Sequence, residues 1–92
     1  MRLSKHLICI NLWNVNNSKN TKVIKSFGKN LRRIRLSKGI SQEYLADSAK
    51  IMPSQIGRIE RGEINATIST AYVLAKALEV DFADLFKFKV GE

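Results

Sequence analysis

The chain has a single cysteine, Cys9, and a single histidine, His6, in 92 residues. A lone cysteine cannot close an internal disulfide, so the sequence suits a reducing cytoplasm. A metal site needs several ligands of these kinds, and neither a metal ion nor any other cofactor is expected. No Ser-His-Asp set can be built around His6 and no glycine-rich phosphate loop is present, so an enzyme is not expected. No run of about 18 apolar residues occurs, which excludes a transmembrane helix. The stretch "LICINLW" at residues 7–13 follows Arg2 and Lys5, the order found in a signal peptide. It is short, broken by Asn11 and followed by "NVNNSKN" in place of a small-residue cleavage site, so no signal is assigned. Negative charge is missing from the first part of the chain. Every basic residue from Arg2 to Lys38 precedes the first carboxylate, Glu43.

What is present is ordinary in amount and unusual in sign. Hydrophobic residues at 45% and charged residues at 26% fit a folded globular domain. The length allows one small domain with one modest core. Sixteen Lys and Arg against eight Asp and Glu leave a net charge of +8. Such a balance points to a polyanionic partner, either nucleic acid or an anionic membrane surface. The membrane is disfavoured, because the basic residues between positions 29 and 38 share their helix with a stripe needed for the core.

Three zones are expected: an N-terminal extension (1–22), a helical domain (23–88) and a short tail (89–92). The extension is an apolar cluster followed by a polar linker, "NNSKNTK", at 16–22. In the domain, Ile24, Phe27, Leu31 and Ile34 recur at helical spacing, and Gly39 ends that helix. Ser41 is a suitable N-cap for a second helix that buries Leu45, Ala46 and Ala49. Pro53 suits the first position of a third, with Ile56 and Ile59 inward and Gly62 as its stop. A fourth, capped by Thr67 or Ser69, runs to Leu78 with Ile68, Ala71, Leu74, Ala75 and Leu78 inward. Asp81 opens a fifth, "FADLF", and "KFKVGE" reads as a short strand or a frayed end. The expected fold is all-α with five helices. The second and third lie three or four residues apart, as in a helix-turn-helix.

On the third helix, Ser54, Gln55 and Arg58 lie opposite Ile56 and Ile59, because residues three and four apart share a face. Taken alone, Gln55 and Arg58 read more readily as an ordinary solvated face. Their surroundings change that reading. "R-x-x-x-G-x-S-Q" (Arg35, Gly39, Ser41, Gln42), "YLA" (Tyr44 to Ala46), "I-x-x-I-E-R-G" (Ile56, Ile59 to Gly62) and "LEVDFADLF" follow one another without a gap between Gln42 and Gly62. This set resembles the phage repressor and Cro type of helix-turn-helix, the XRE family, over about residues 25–87.

The resemblance implies a five-helix lambda-repressor-like domain that binds double-stranded DNA as a transcriptional regulator. Ser54, Gln55 and Arg58 would then read bases, since Gln pairs with adenine and Arg with guanine in the major groove. Arg61, one turn on, is better placed for a phosphate. The family's roles carry Gln42 to a phosphate and to bracing the third helix, and Arg35 with Glu60 to a structural ion pair. Asn65 and Thr67 become phosphate neighbours, and at most one of Lys29, Arg32 and Lys38 is expected to join them. A homodimer on a pseudo-palindrome is implied, formed near Phe82, Leu85, Phe86 and Phe88, and no small-molecule ligand is expected. The departures are Met52 as a poor N-cap, Pro53 without an amide hydrogen and Gly57 inside the third helix. Two related roles remain alongside: an antitoxin whose N-terminal extension holds a toxin protein, and a restriction-modification controller protein.

Overall fold

The computed structural model describes residues 20–91. Residues 1–19, with the "LICINLW" cluster, His6 and Cys9, and Glu92 lie outside the described residues. Four α-helices and a closing 3-10 helix follow in chain order: α1 (Thr21–Ser37), α2 (Gln42–Ala49), α3 (Pro53–Glu60), α4 (Ile68–Leu78) and the 3-10 helix (Phe82–Phe86). No strand occurs among the described residues.

Helix α1 starts inside the expected linker. The side chain of Asn20 accepts a hydrogen bond from the Val23 amide (3.3 Å) and caps the helix, so Thr21 and Lys22 belong to the domain. Ile24, Phe27, Leu31 and Ile34 are buried as their spacing predicts. Two further faces of α1 are also covered, at Gly28 and Arg35 on one side and at Ser26 and Asn30 on the other. Gly39, at φ +70°, takes the left-handed turn that ends the element.

Ser41 caps α2 by accepting the Tyr44 amide at 3.0 Å, and Leu45, Ala46 and Ala49 face inward. At its end Lys50 adopts the left-handed conformation, which lets the Ile51 amide return to the carbonyl of Ala46 (3.0 Å). Thr67, not Ser69, caps α4, accepting the Thr70 amide at 3.0 Å. One expected core residue is corrected. Ile68 becomes the first helical residue and points outward, 73% exposed. Leu31, Leu45, Ile56, Ile59, Leu74 and Leu85 form the fully buried centre. Burying each such side chain is worth about 1.5–3 kcal/mol relative to exposing it.

The chain end is fastened to α1 by polar groups. Asn30 Nδ2 donates to the carbonyls of Asp84 (3.1 Å) and Leu85 (2.9 Å), and the Gly91 amide donates to Ser26 Oγ at 2.9 Å. The tail is therefore neither a strand nor frayed up to Gly91. Leu85 sits in the core with no exposed surface, so it is withdrawn from the expected dimer face. The closing helix turns Leu85 onto the core and leaves its neighbour Phe86 at the surface.

Candidate nucleic-acid interface

Helix α3 presents a narrow polar face because its other residues are committed to the core. Ile56, Gly57, Ile59 and Glu60 are buried; Ser54 and Arg58 are exposed and Gln55 is half-buried. Met52 makes no capping hydrogen bond, and Pro53 occupies the first turn. Both are exposed at the leading end of α3, an apolar tip beside the polar face.

The orientation of α3 is fixed by one carboxylate. Glu60 closes a bidentate pair with Arg35: Nε donates to Oε2 at 2.6 Å and Nη2 to Oε1 at 3.0 Å. Arg35 Nη1 also donates to the carbonyl of Ile40 at 2.9 Å. Gln42 Nε2 adds a third bond to Glu60, at 3.0 Å to Oε1. The hydrogen bond to Glu60 raises the Arg35 pKa above its ordinary value, against the opposing effect of burial. A carboxylate at a helix C-terminus meets an unfavourable dipole, and the guanidinium offsets it. The Arg35–Glu60 pair that the resemblance implied is present, and Gln42 of α2 reaches the same carboxylate. One of the two Gln42 amide hydrogens is used on Glu60, which leaves the other for an outside acceptor.

Gly57 lies directly beneath this network. A Cβ there would come 2.9 Å from Arg61 Nη1 and 3.5 Å from Gln42 Oε1. Glycine thus lets the Arg61 side chain fold back along α3.

A residue that the sequence reading did not single out joins the two exposed arginines. Glu63 accepts from Arg61 Nε at 2.7 Å and lies 3.9 Å from Arg58 Nε. The Arg61 hydrogen bond holds the Glu63 carboxyl below its ordinary pKa and raises that of Arg61. Its signal was a carboxylate two residues beyond an arginine that ends the helix. Of the loop residues, Asn65 is exposed. The hydroxyl of Thr67 is occupied, capping α4 and donating to Thr70 Oγ1 at 3.0 Å.

A second exposed region is aromatic. Tyr72, Phe82, Phe86, Phe27 and Phe88 form a chain of ring contacts with centroids 5.2–6.4 Å apart. Phe86 is 45% exposed, and Phe82 and Phe88 are half-buried, so three of the four expected interface residues reach this surface. Among the described residues no cluster of His, Cys, Asp or Glu could hold a metal ion. No helix among them is long and apolar enough to cross a membrane.

Two short helices joined by a tight turn, the second with an exposed Ser-Gln-Arg face on a basic domain, define a helix-turn-helix DNA-binding protein. The helix-turn-helix family model HTH_3 matches residues 31–85, and the chain belongs to that family. It is 41% identical over 63 residues to the control protein C.BamHI of Bacillus amyloliquefaciens, covering 67% of this chain and 78% of the relative. The solved controller protein C.AhdI of Aeromonas hydrophila superposes with a TM-score of 0.66 at 39% identity, over 70% of this chain and 96% of that one. The controller protein C.Esp1396I, solved as a tetramer in complex with its natural 35 base-pair operator, gives 0.67 at 32% identity, over 71% and 86%. The chain is a sequence-specific DNA-binding transcriptional regulator of the repressor and Cro type.

Proposed function

We propose that this regulator acts in the cytoplasm as a homodimer on a pseudo-palindromic operator, in the manner of restriction-modification controller proteins. One α3 reaches only a few base pairs, so two are needed, set one helical turn or about 34 Å apart. The observation that carries this reading is the polar face of α3, held by Glu60 against both α1 and α2. Ser54, Gln55 and Arg58 are assigned to base edges, and Arg61, Asn65 and Gln42 to the flanking phosphates. Thr67 supports that loop as a cap. The dimer face is assigned to Phe82, Phe86 and Phe88, extended by Tyr72. The protein acts by occupying DNA, without a catalytic step and without a small-molecule ligand. The antitoxin alternative depends on residues 1–19, and no observation on the described residues favours it.

The test is selection of bound sites from random duplex DNA at about 150 mM salt, a concentration that screens charge beyond about 8 Å. An enriched inverted repeat with half-sites one turn apart is the expected outcome. A bound pool without any enriched sequence would overturn the assignment of base-reading residues and leave attraction by charge alone.

A further inference from the structure

The leading end of α3 carries an exposed apolar tip that the base-edge and phosphate assignments leave unused. Met52 is 67% exposed, and Pro53 beside it is exposed as well. Neither side chain can donate a hydrogen bond, and Pro53 has no amide hydrogen. Met52 makes no capping hydrogen bond, so α3 itself draws no support from this side chain.

The tip is mounted on a fixed backbone. Ile51, packed against the core, returns its amide to the Ala46 carbonyl at 3.0 Å. On the other side the amides of Gln55 and Ile56 donate to the Met52 carbonyl, at 2.9 and 3.3 Å. Met52 is extended, at φ −77° and ψ 141°, and the proline ring sets the next φ. The main chain is held, while the unbranched, polarizable side chain of methionine can fit an irregular apolar surface.

This inference rests on the DNA-binding reading, in which the first residues of a recognition helix meet base edges in the major groove. Most of what those edges show is hydrogen-bond donors and acceptors, which an apolar side chain would only strip of water. A phosphate oxygen is an equally poor neighbour, because it would lose water and gain no donor. The apolar group on the edges is the C5-methyl of thymine.

We propose that Met52, backed by Pro53, reads a thymine methyl in each operator half-site. It adds to Ser54, Gln55 and Arg58 an element of specificity that works by burial in place of hydrogen bonding. Cytosine is rejected at that position, since its edge has an amino donor and no methyl.

The test removes the methyl and nothing else. Each thymine of the operator recovered by selection is replaced in turn with deoxyuridine in both half-sites, and the full chain is titrated against each duplex. One position should lose about fourfold in affinity per half-site, as expected for one buried methyl group. With Met52→Ala, the thymine and deoxyuridine operators should bind alike at that position. Met52→Ser should behave the same way and melt at a higher temperature, because serine supplies the cap that methionine lacks. Lost preference in that variant cannot then come from unfolding. Half-sites indifferent to every methyl, or a methyl effect that survives both variants, would overturn the proposal and leave base reading by Arg58 standing. A bound pool with no enriched sequence would overturn both this proposal and the reading beneath it.

Discussion

Gly28 of α1 lies against the backbone of Glu60 in α3, so close that a Cβ on Gly28 would come 2.7 Å from the Glu60 carbonyl oxygen. The Ile59 carbonyl is nearer still. These are backbone atoms and cannot swing aside as a side-chain end would. Alanine in a helix interior ordinarily stabilises by about 0.5–1 kcal/mol over glycine. Here the sign reverses. Gly28→Ala should destabilise by about 1–3 kcal/mol, the usual cost of overpacking, and should weaken specific DNA binding as α1 and α3 separate. Urea unfolding and operator titration measure the two effects; a more stable variant would contradict the packing described.

The Arg35–Glu60 pair has side chains only 8% and 1% exposed. Removing one partner strands the other charge, at a cost of about 3–5 kcal/mol. Glu60→Ala should therefore lower the unfolding midpoint steeply. Replacing both residues with apolar ones of similar volume should restore much of the loss. A thermal melt of the three proteins tests this, and equal losses for the single and double variants would refute it.

Arg58 and Arg61 share Glu63 but are assigned different work. Arg58→Ala should cost about 1–3 kcal/mol at one base pair per half-site and relax preference there. Arg61→Ala should weaken all sequences nearly alike and reduce the salt slope by about 1. Titrations against the operator and its single-base variants across a salt series separate the two. A uniform loss from Arg58→Ala would end its assignment as a base reader.

Asp84 gives the stability a pH dependence on the acid side. Its carboxylate accepts from Lys87 Nζ at 2.9 Å and from the Asp81 amide at 3.2 Å. The Lys87 hydrogen bond is the main cause of its lowered pKa. A carboxyl whose folded pKa is depressed stabilises the fold above its unfolded value, about 3.9 for aspartate, and that contribution disappears as pH falls through the folded pKa. Asp84→Asn should lower the melting temperature at neutral pH, with the gap to the parent protein closing in acid. Glu63 shifts the same way through Arg61, so the variant retains part of the acid sensitivity. A gap that is constant with pH would remove the linkage.

The helical stripes were legible because each follows from a simple period. Ile24, Phe27, Leu31 and Ile34 lie where their spacing put them, and Ser41 and Pro53 open their helices as expected. The motif around Gln42 and Glu60 led to the right network. Periodicity failed at the ends of elements. Ile68 is in period with Ala71, Leu74, Ala75 and Leu78, yet as the first residue of its helix it is exposed; Leu85, which the resemblance put near the dimer face, is buried. It also missed groups whose partners are distant in sequence. Asn30 meets the Asp84 and Leu85 carbonyls across more than half the chain, and Gly28 meets Glu60. Neither pairing leaves a local pattern. Glu63 was overlooked because charge counts as surface until its geometry to Arg61 is seen.

The triple hold on Glu60 has a kinetic consequence. A recognition helix tied at its C-terminal end to α1 and α2 meets DNA already in place, with no refolding step between encounter and engagement. Arrival can then run at the pace set by diffusion and by the attraction of a cationic surface for phosphate. Right and wrong sequences are approached equally fast. They part company in residence time: the correct operator keeps the protein, and the others release it.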